Sequence, residues 1–192
     1  MNLAIGSLHD AKTGRRLGTA FAVGDRHALT AFHCIGSRER AKVENAKVKC
    51  KWAVGESAAV VVGGDTFNDI ALLRFDKTLP LDLAPVELIT DVAIHERFIA
   101  PGAPVLVRDV FNFAASGEIT WRDAILEDGS TAIQLACFEA QDLALGGLSG
   151  APVLVGHPPR AVGIVRRYSP RDDEPLLANG GSLFAAPVRE AL

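Results

Sequence analysis

The sequence predicts an all-β protein. Short apolar or alternating runs recur along the 192 residues, and no helical period competes with them until the closing "VREAL", which predicts a short C-terminal helix. Glycine-containing turn pairs separate many of the runs, at Gly24-Asp25, Gly63-Gly64, Asp128-Gly129 and Gly180-Gly181. This pattern is typical of β-barrels and β-sandwiches.

Twelve runs have the length and composition of strands: "LAIGSL", "GTAFAV", "HALTA", "AKVKCKW", "AAVVV", "IALLRF", "PVLVRDV", "GEITWRD", "TAIQLAC", "APVLVG", "AVGIV" and "SLFAAPV". The segment 80–104 interrupts them with prolines and mixed polarity, which leaves about six strands on each side. We interpret it as a crossing between two barrels. Residues 1–88 are then expected to form the first barrel and residues 89–192 the second.

Composition narrows the class of protein further. A hydrophobic content of 48% supports a sizeable core, and the formal charge of −3 gives no reason to expect a nucleic-acid partner. The basic pairs Arg15-Arg16 and Arg166-Arg167 are isolated, and we interpret them as solvated. The start "MNLAIGSLHDAKTG" has neither a basic leader nor a long apolar segment, so we expect neither secretion nor contact with a membrane.

Cysteine usage indicates a reducing compartment. Cys34, Cys50 and Cys137 form an odd, widely spaced set without a C-x-x-C pair. Such a set favours free thiols over a disulfide framework or a zinc site. We therefore expect a cytoplasmic protein that needs no metal or other cofactor.

Two short stretches carry candidates for nucleophilic chemistry. "LGGLSGAPVL" sets Ser149 among glycines, whose small size lets backbone amides approach a reacting carbonyl. "LTAFHCIG" sets His33 in an apolar run, where it is either a satisfied core residue or a base. Acyl transfer at neutral pH also needs a carboxylate to orient the base and amide donors for the oxyanion.

The candidate carboxylate is Asp69 in "NDIALLRF", at the start of a run apolar enough to be a buried strand. Taken alone, Asp69 reads as an ordinary turn residue that caps a strand end. Asp65 lies close by in the chain and is the obvious substitute.

Taken in chain order, T-A-x-H-C, D-I-A-L-L and G-x-S-G-x-P resemble the three signature segments of the chymotrypsin-like (trypsin-like) serine peptidases. The resemblance spans nearly the whole chain and implies the double six-stranded antiparallel barrel of that family. It also implies His33 as general base, Asp69 as its orienting carboxylate and Ser149 as nucleophile. The amides of Gly147 and Ser149 would form the oxyanion hole.

The sequence departs from the common family pattern at three positions. Secreted members pair the cysteine after the histidine with another about sixteen residues upstream, where this chain has Gly18, so Cys34 would face a glycine and form no bridge. Leu148 replaces the aspartate that many zymogen-activated relatives carry before the serine, which resembles the bacterial-type branch and leaves open how the Gly147 loop is held. Phe32 replaces an alanine, which we attribute to packing.

The resemblance also predicts the lining of the first specificity pocket. Its floor would be Leu143, six residues before the serine, and its walls would come from "AVGIVRRYS" and the glycine turn "NGGS". A leucine floor favours a neutral, apolar residue before the scissile bond, whereas an acidic floor at Asp142 or an inward arginine would change that preference. The candidate substrate-binding residues are Leu143, Val165, Arg166, Arg167 and Gly181.

The leading hypothesis is a serine endopeptidase acting on a protein or peptide, with restricted or partner-gated substrates. A regulatory protein partner or a flanking domain is compatible with this interpretation. The alternatives are an enzymatically idle trypsin-like domain that binds peptides or proteins, and an esterase that uses the same three residues.

Overall fold

The computed structural model of the protein describes residues 2–36, 45–102, 113–137, 147–166 and 182–191. Fourteen β-strands and two 3-10 helices are found within these ranges. The strands are β1 (Asn2–Leu3), β2 (Ile5–Asp10), β3 (Arg16–Gly24), β4 (His27–Ala31), β5 (Lys47–Trp52), β6 (Gly55–Asp65), β7 (Ile70–Phe75), β8 (Leu83–Ala84), β9 (Arg97–Gly102), β10 (Phe113–Ile125), β11 (Thr131–Cys137), β12 (Pro152–Val155), β13 (Arg160–Arg166) and β14 (Ser182–Pro187).

Twelve of the strands close into two six-stranded antiparallel barrels, as the sequence predicts. The first has the order β2-β3-β4-β7-β6-β5 and the second the order β10-β11-β14-β13-β12-β9. Closure leaves neither barrel with an unpaired edge strand. The two barrels lie within residues 1–88 and 89–192 respectively.

The segment 80–104 is more than a crossing, and that expectation needs correction. It contains β9, which pairs with both β10 and β12 and completes the second barrel. Phe98 and Ala100 point into the core while Arg97 and Ile99 face outward. The alternation of buried and exposed residues that is typical of a strand is therefore present, but it covers only a few residues. The neighbouring Pro101 obscures it in the sequence. The run "PVLVRDV", which we expected to be a strand, lies outside the described residues.

Two apolar clusters fill the barrels. The first is built around Leu8, Phe21, Leu73 and Phe75, and the second around Phe98 and its neighbours on β10 to β14. The chain ends in a short 3-10 helix over Val188–Ala191, where the sequence predicts a short helix. Within the described ranges, no helix is long and apolar enough to cross a membrane.

The complete burial of Phe21 predicts that the stability of the first barrel depends on this side chain. Phe21 is 0% exposed, so Phe21→Ala should leave a cavity and lower the free energy of unfolding by about 3–5 kcal/mol. Phe67→Ala is the matched control, because Phe67 is 51% exposed and should cost about 0.5 kcal/mol or less. Urea denaturation measures both. Equal losses for the two variants would contradict this assignment of the core.

Candidate active site

The imidazole of His33 and the carboxylate of Asp69 form a two-point contact. His33 lies in the 3-10 helix Phe32–Cys34, directly after β4, and Asp69 lies directly before β7. Because β4 and β7 are paired, their ends bring the two residues together. Asp69 Oδ1 accepts the backbone N–H of His33 at 2.9 Å, and Oδ2 lies 2.8 Å from His33 Nδ1. This pair of contacts fixes both the position and the rotation of the imidazole.

The backbone at Asp69 explains why this carboxylate, and not Asp65, reaches His33. Asp69 has φ of 59°, a left-handed conformation that aspartate tolerates better than most residues. Its carbonyl accepts the N–H of Phe32 at 3.0 Å, which anchors the turn to the 3-10 helix. Asp65 instead accepts the N–H groups of Phe67 at 2.9 Å and Asn68 at 3.0 Å, and thus caps the turn between β6 and β7.

Ser149 lies at the junction of the two barrels, next to the residues that follow β4. Its carbonyl accepts the backbone N–H of Thr19 at 2.8 Å and lies 3.6 Å from the thiol of Cys34. Within the described ranges, no hydrogen bond joins the Ser149 hydroxyl to His33. The Cys34 sulfur lies 3.9 Å from His33 Nε2. In unliganded peptidases the serine–histidine contact is often long and shortens when substrate binds.

The loop that precedes Ser149 is held by one hydrogen bond and one buried side chain. Gly147 has φ of 100°, which favours glycine, and its carbonyl accepts the Thr19 hydroxyl at 2.7 Å. Leu148 is fully buried in the second barrel and approaches Gly102 so closely that a Cβ added there would lie 2.6 Å from a Leu148 methyl group. An apolar anchor therefore occupies the position at which zymogen-activated relatives place an ion pair.

Thr19 is the site residue that sequence reasoning missed. It is fully buried, and in addition to its contacts with Ser149 and Gly147 its carbonyl accepts the hydroxyl of Thr30 at 2.6 Å. The feature of the sequence that could have identified Thr19 is the presence of a polar residue within the apolar run "GTAFAV". Buried hydroxyls need partners, so such a residue indicates a specific contact.

Cys34 faces Gly18, as predicted. A Cβ added to Gly18 would lie 2.6 Å from the Cys34 sulfur and 2.7 Å from the Ser149 carbonyl oxygen. All three cysteines are free and buried. The glycine therefore makes room for an unpaired thiol where secreted relatives have a disulfide.

Opposing effects act on the pKa of His33. Burial lowers it, because burial disfavours the charged imidazolium, while the neighbouring Cys34 sulfur and the hydrogen bond to Asp69 raise it. The raising effects dominate and bring the pKa of His33 from 6.5 to about 10. The surroundings of His33 therefore favour the protonated imidazole.

The residues predicted to bind substrate fall into two groups. Leu143, Arg167 and Gly181 lie outside the described residues, as does Asp142. Val165 has its side chain in the core of the second barrel, and only its backbone reaches the serine loop, where its carbonyl accepts the N–H of Gly150 at 2.8 Å.

The interpretation of Arg166 as solvated is wrong. Arg166 is 2% exposed, donates to the Ser130 hydroxyl at 3.0 Å and lies 3.6 Å from the Asp128 carboxylate. These contacts connect β13 to the turn between β10 and β11. The sequence could not show this, because the partners are 36 and 38 positions away in the chain.

Comparisons with known proteins identify the family of the chain. The sequence model of the trypsin-like peptidase domain matches residues 18–164, more than half of the chain. The chain therefore belongs to the family of trypsin-like serine peptidases. A comparison with curated proteins gives no match.

Solved structures share the fold at low sequence identity. Deg5 is 20% identical with a TM-score of 0.67, over 100% of this chain and 86% of that one. The HtrA-type protease AlgW, solved with a decapeptide, is 20% identical with a TM-score of 0.70, over 98% of this chain and 62% of that one. The apo protease domain of MamO from Magnetospirillum magneticum is 15% identical with a TM-score of 0.69, over 98% and 93%. These similarities show the double-barrel architecture.

No group of three or more histidine, cysteine, aspartate or glutamate side chains could hold a metal ion within the part of the chain that the structure describes.

The close packing around Gly18 predicts that a larger side chain at this position disturbs the site. Gly18→Ala should force Cys34 and the Ser149 backbone apart, with a loss of about 1–3 kcal/mol in the free energy of unfolding and weaker labelling of Ser149 by a fluorophosphonate. Gly24→Ala is the control, since a Cβ on Gly24 meets nothing within 4 Å. Thermal unfolding and labelling rates measure the effect. Wild-type values for Gly18→Ala would show that the contact is unimportant.

Proposed function

We propose that this protein is a serine endopeptidase that works through His33, Asp69 and Ser149 and an acyl-enzyme intermediate. The observation that carries the proposal is the two-point contact between Asp69 and His33, at 2.9 and 2.8 Å. A carboxylate held on Nδ1 leaves Nε2 as the nitrogen that exchanges a proton with the substrate side of the site. An idle binding domain would have no use for this orientation.

In the proposed reaction, the Ser149 oxygen attacks the peptide carbonyl and its proton passes to His33 Nε2. The oxyanion that forms accepts hydrogen bonds from the amides of Gly147 and Ser149. His33 then returns the proton to the leaving amine as the carbon–nitrogen bond breaks, which leaves an ester between Ser149 and the acyl group. Water deprotonated by His33 attacks that ester, and Ser149 recovers its proton.

Restricted activity is part of the proposal. The raised pKa of His33 favours the protonated imidazole, which cannot accept the serine proton. A suitable substrate or a regulatory protein partner would have to bring Ser149 and His33 together and favour the neutral base. We further propose a cytoplasmic location, which the three free, buried thiols support.

Loss of either proton-transfer partner should abolish turnover without unfolding the protein. Ser149→Ala and His33→Ala should each lower kcat by about 10⁴-fold or more, and Asp69→Asn should be somewhat milder. Asp65→Asn is the matched control, because Asp65 caps a turn and does not reach His33.

Peptide hydrolysis and fluorophosphonate labelling measure these effects. Labelling that disappears in Ser149→Ala supports a serine hydrolase, and cleavage of peptides as well as esters then separates a peptidase from an esterase. A folded protein that neither labels nor cleaves would be a binding domain, and the proposal would be wrong.

The pH dependence of the reaction should report on His33. Because the neutral imidazole is the active form, kcat/KM should rise with pH until about 10, well above the ordinary histidine range. Cys34→Ala removes the sulfur that raises the pKa, so its rising limb should move to lower pH. A pH–rate profile of each protein measures the shift. Rising limbs near pH 6.5 in both would contradict this account.

A further inference from the structure

A cavity of about 320 Å³ opens beside His33 on the first barrel. This volume is at the lower end of the range of about 300–1,000 Å³ typical of ligand pockets, which suits one or two side chains. Leu17, Ile35 and Val48 contribute apolar walls, and His33 and Cys34 form the side toward the catalytic junction. The reaction proposed above does not use this cavity.

The mouth of the cavity is charged. Asp10, Arg15 and Lys47 all line it. Backbone hydrogen bonds place Arg15 and Lys47 on either side of the end of β2, since the N–H of Asp10 donates to the Arg15 carbonyl at 2.9 Å and the N–H of Ala11 donates to the Lys47 carbonyl at 3.3 Å. Both cations are exposed, and within the described ranges neither forms an ion pair.

Asp10 does not neutralise the pair. Its Oδ1 accepts the N–H groups of Lys12 at 2.9 Å and Thr13 at 2.6 Å and the Thr13 hydroxyl at 2.9 Å. The carboxylate is thus used to close the turn between β2 and β3. Among the described residues that line the cavity, Arg15 and Lys47 are cationic and Asp10, which interacts electrostatically with Arg15, is anionic, so the net charge there is positive and favours an anionic ligand.

The direction of the reaction shows which part of a substrate reaches this cavity. The acyl group is attached to Ser149 and the oxyanion hole, which belong to the second barrel. The leaving amine has to lie next to His33, which protonates it. The chain that continues from that amine therefore runs over the first barrel, past the side of the site on which His33, Arg15 and Lys47 lie.

We propose that this cavity is a subsite for the residues that follow the scissile bond, and that Arg15 and Lys47 select acidic side chains there. The inference rests on the proposed peptidase function and deepens it. The methylene groups of a glutamate would pack on Leu17 and Ile35, and its carboxylate would lie between the two cations. The preferred substrates are then peptides with acidic residues directly after the cleaved bond.

The test uses internally quenched peptides that share the acyl side and carry Glu-Glu, Gln-Gln or Lys-Lys after the bond. Wild-type kcat/KM should be about fivefold or more higher for Glu-Glu than for Lys-Lys, since each exposed ion pair contributes up to about fivefold. The preference should shrink at high salt. In R15E/K47E it should reverse, whereas Lys51→Glu, a charge change on the same strand outside the cavity, should keep it.

Two further measurements separate this proposal from the peptidase proposal. Hydrolysis of a peptidyl aminocoumarin, which has no residue after the bond, measures any general effect of R15E/K47E on the reaction, and the peptide preferences of each protein are compared after correction for it. Binding of the same three peptides to the Ser149→Ala variant, followed by fluorescence polarisation, tests the cavity without turnover. Equal affinity for Glu-Glu and Lys-Lys peptides would overturn the subsite even if the protein is a peptidase. Tighter Glu-Glu binding by a protein without hydrolytic activity would keep the subsite and reject the peptidase.

Discussion

The contact on which the site depends is the one between Thr19 and the serine loop. Through its amide and its hydroxyl, this buried residue of the first barrel binds the carbonyls of Ser149 and Gly147, which precede β12 of the second barrel. Thr30 satisfies the Thr19 carbonyl in turn. Because these groups are buried, breaking one of them would leave a polar atom without a partner at a cost of about 1–3 kcal/mol. The network therefore fixes the relative position of the two halves of the site.

Small residues allow the backbone of the first barrel to lie close to the loop that carries Ser149. Gly18 leaves room for the Cys34 sulfur and the Ser149 carbonyl, and a Cβ on Gly150 would collide with the Thr19 carbonyl and the Thr30 hydroxyl. Gly150 also has φ of 86°, so both space and backbone conformation favour glycine there. The junction is consequently assembled from close backbone contacts, with packing in place of the disulfide and the buried ion pair that other family members use.

The chemistry is divided between the barrels in a way that matches this junction. His33, Asp69 and the charged cavity belong to the first barrel, and Ser149 with its loop belongs to the second. A substrate held across the junction would contact both halves at once, with its acyl side on the second barrel and its leaving side on the first. Within the described ranges no hydrogen bond joins the Ser149 hydroxyl to His33, and the pKa of His33 is raised.

Local sequence determined the strand pattern, the two-barrel division and the three candidate side chains, because alternation, turn residues and short motifs act over a few neighbouring positions. The resemblance to the peptidase family also implied that Gly18 lies opposite Cys34. Tertiary structure alone decided that Asp69 rather than Asp65 meets His33, since this depends on the left-handed backbone at Asp69 and on the pairing of β4 with β7. It also decided the burial of Arg166, the contacts of Thr19 and the presence of Arg15 and Lys47 in the lining of one cavity. Each of these joins residues far apart in the chain, and only barrel closure brings them within reach of one another.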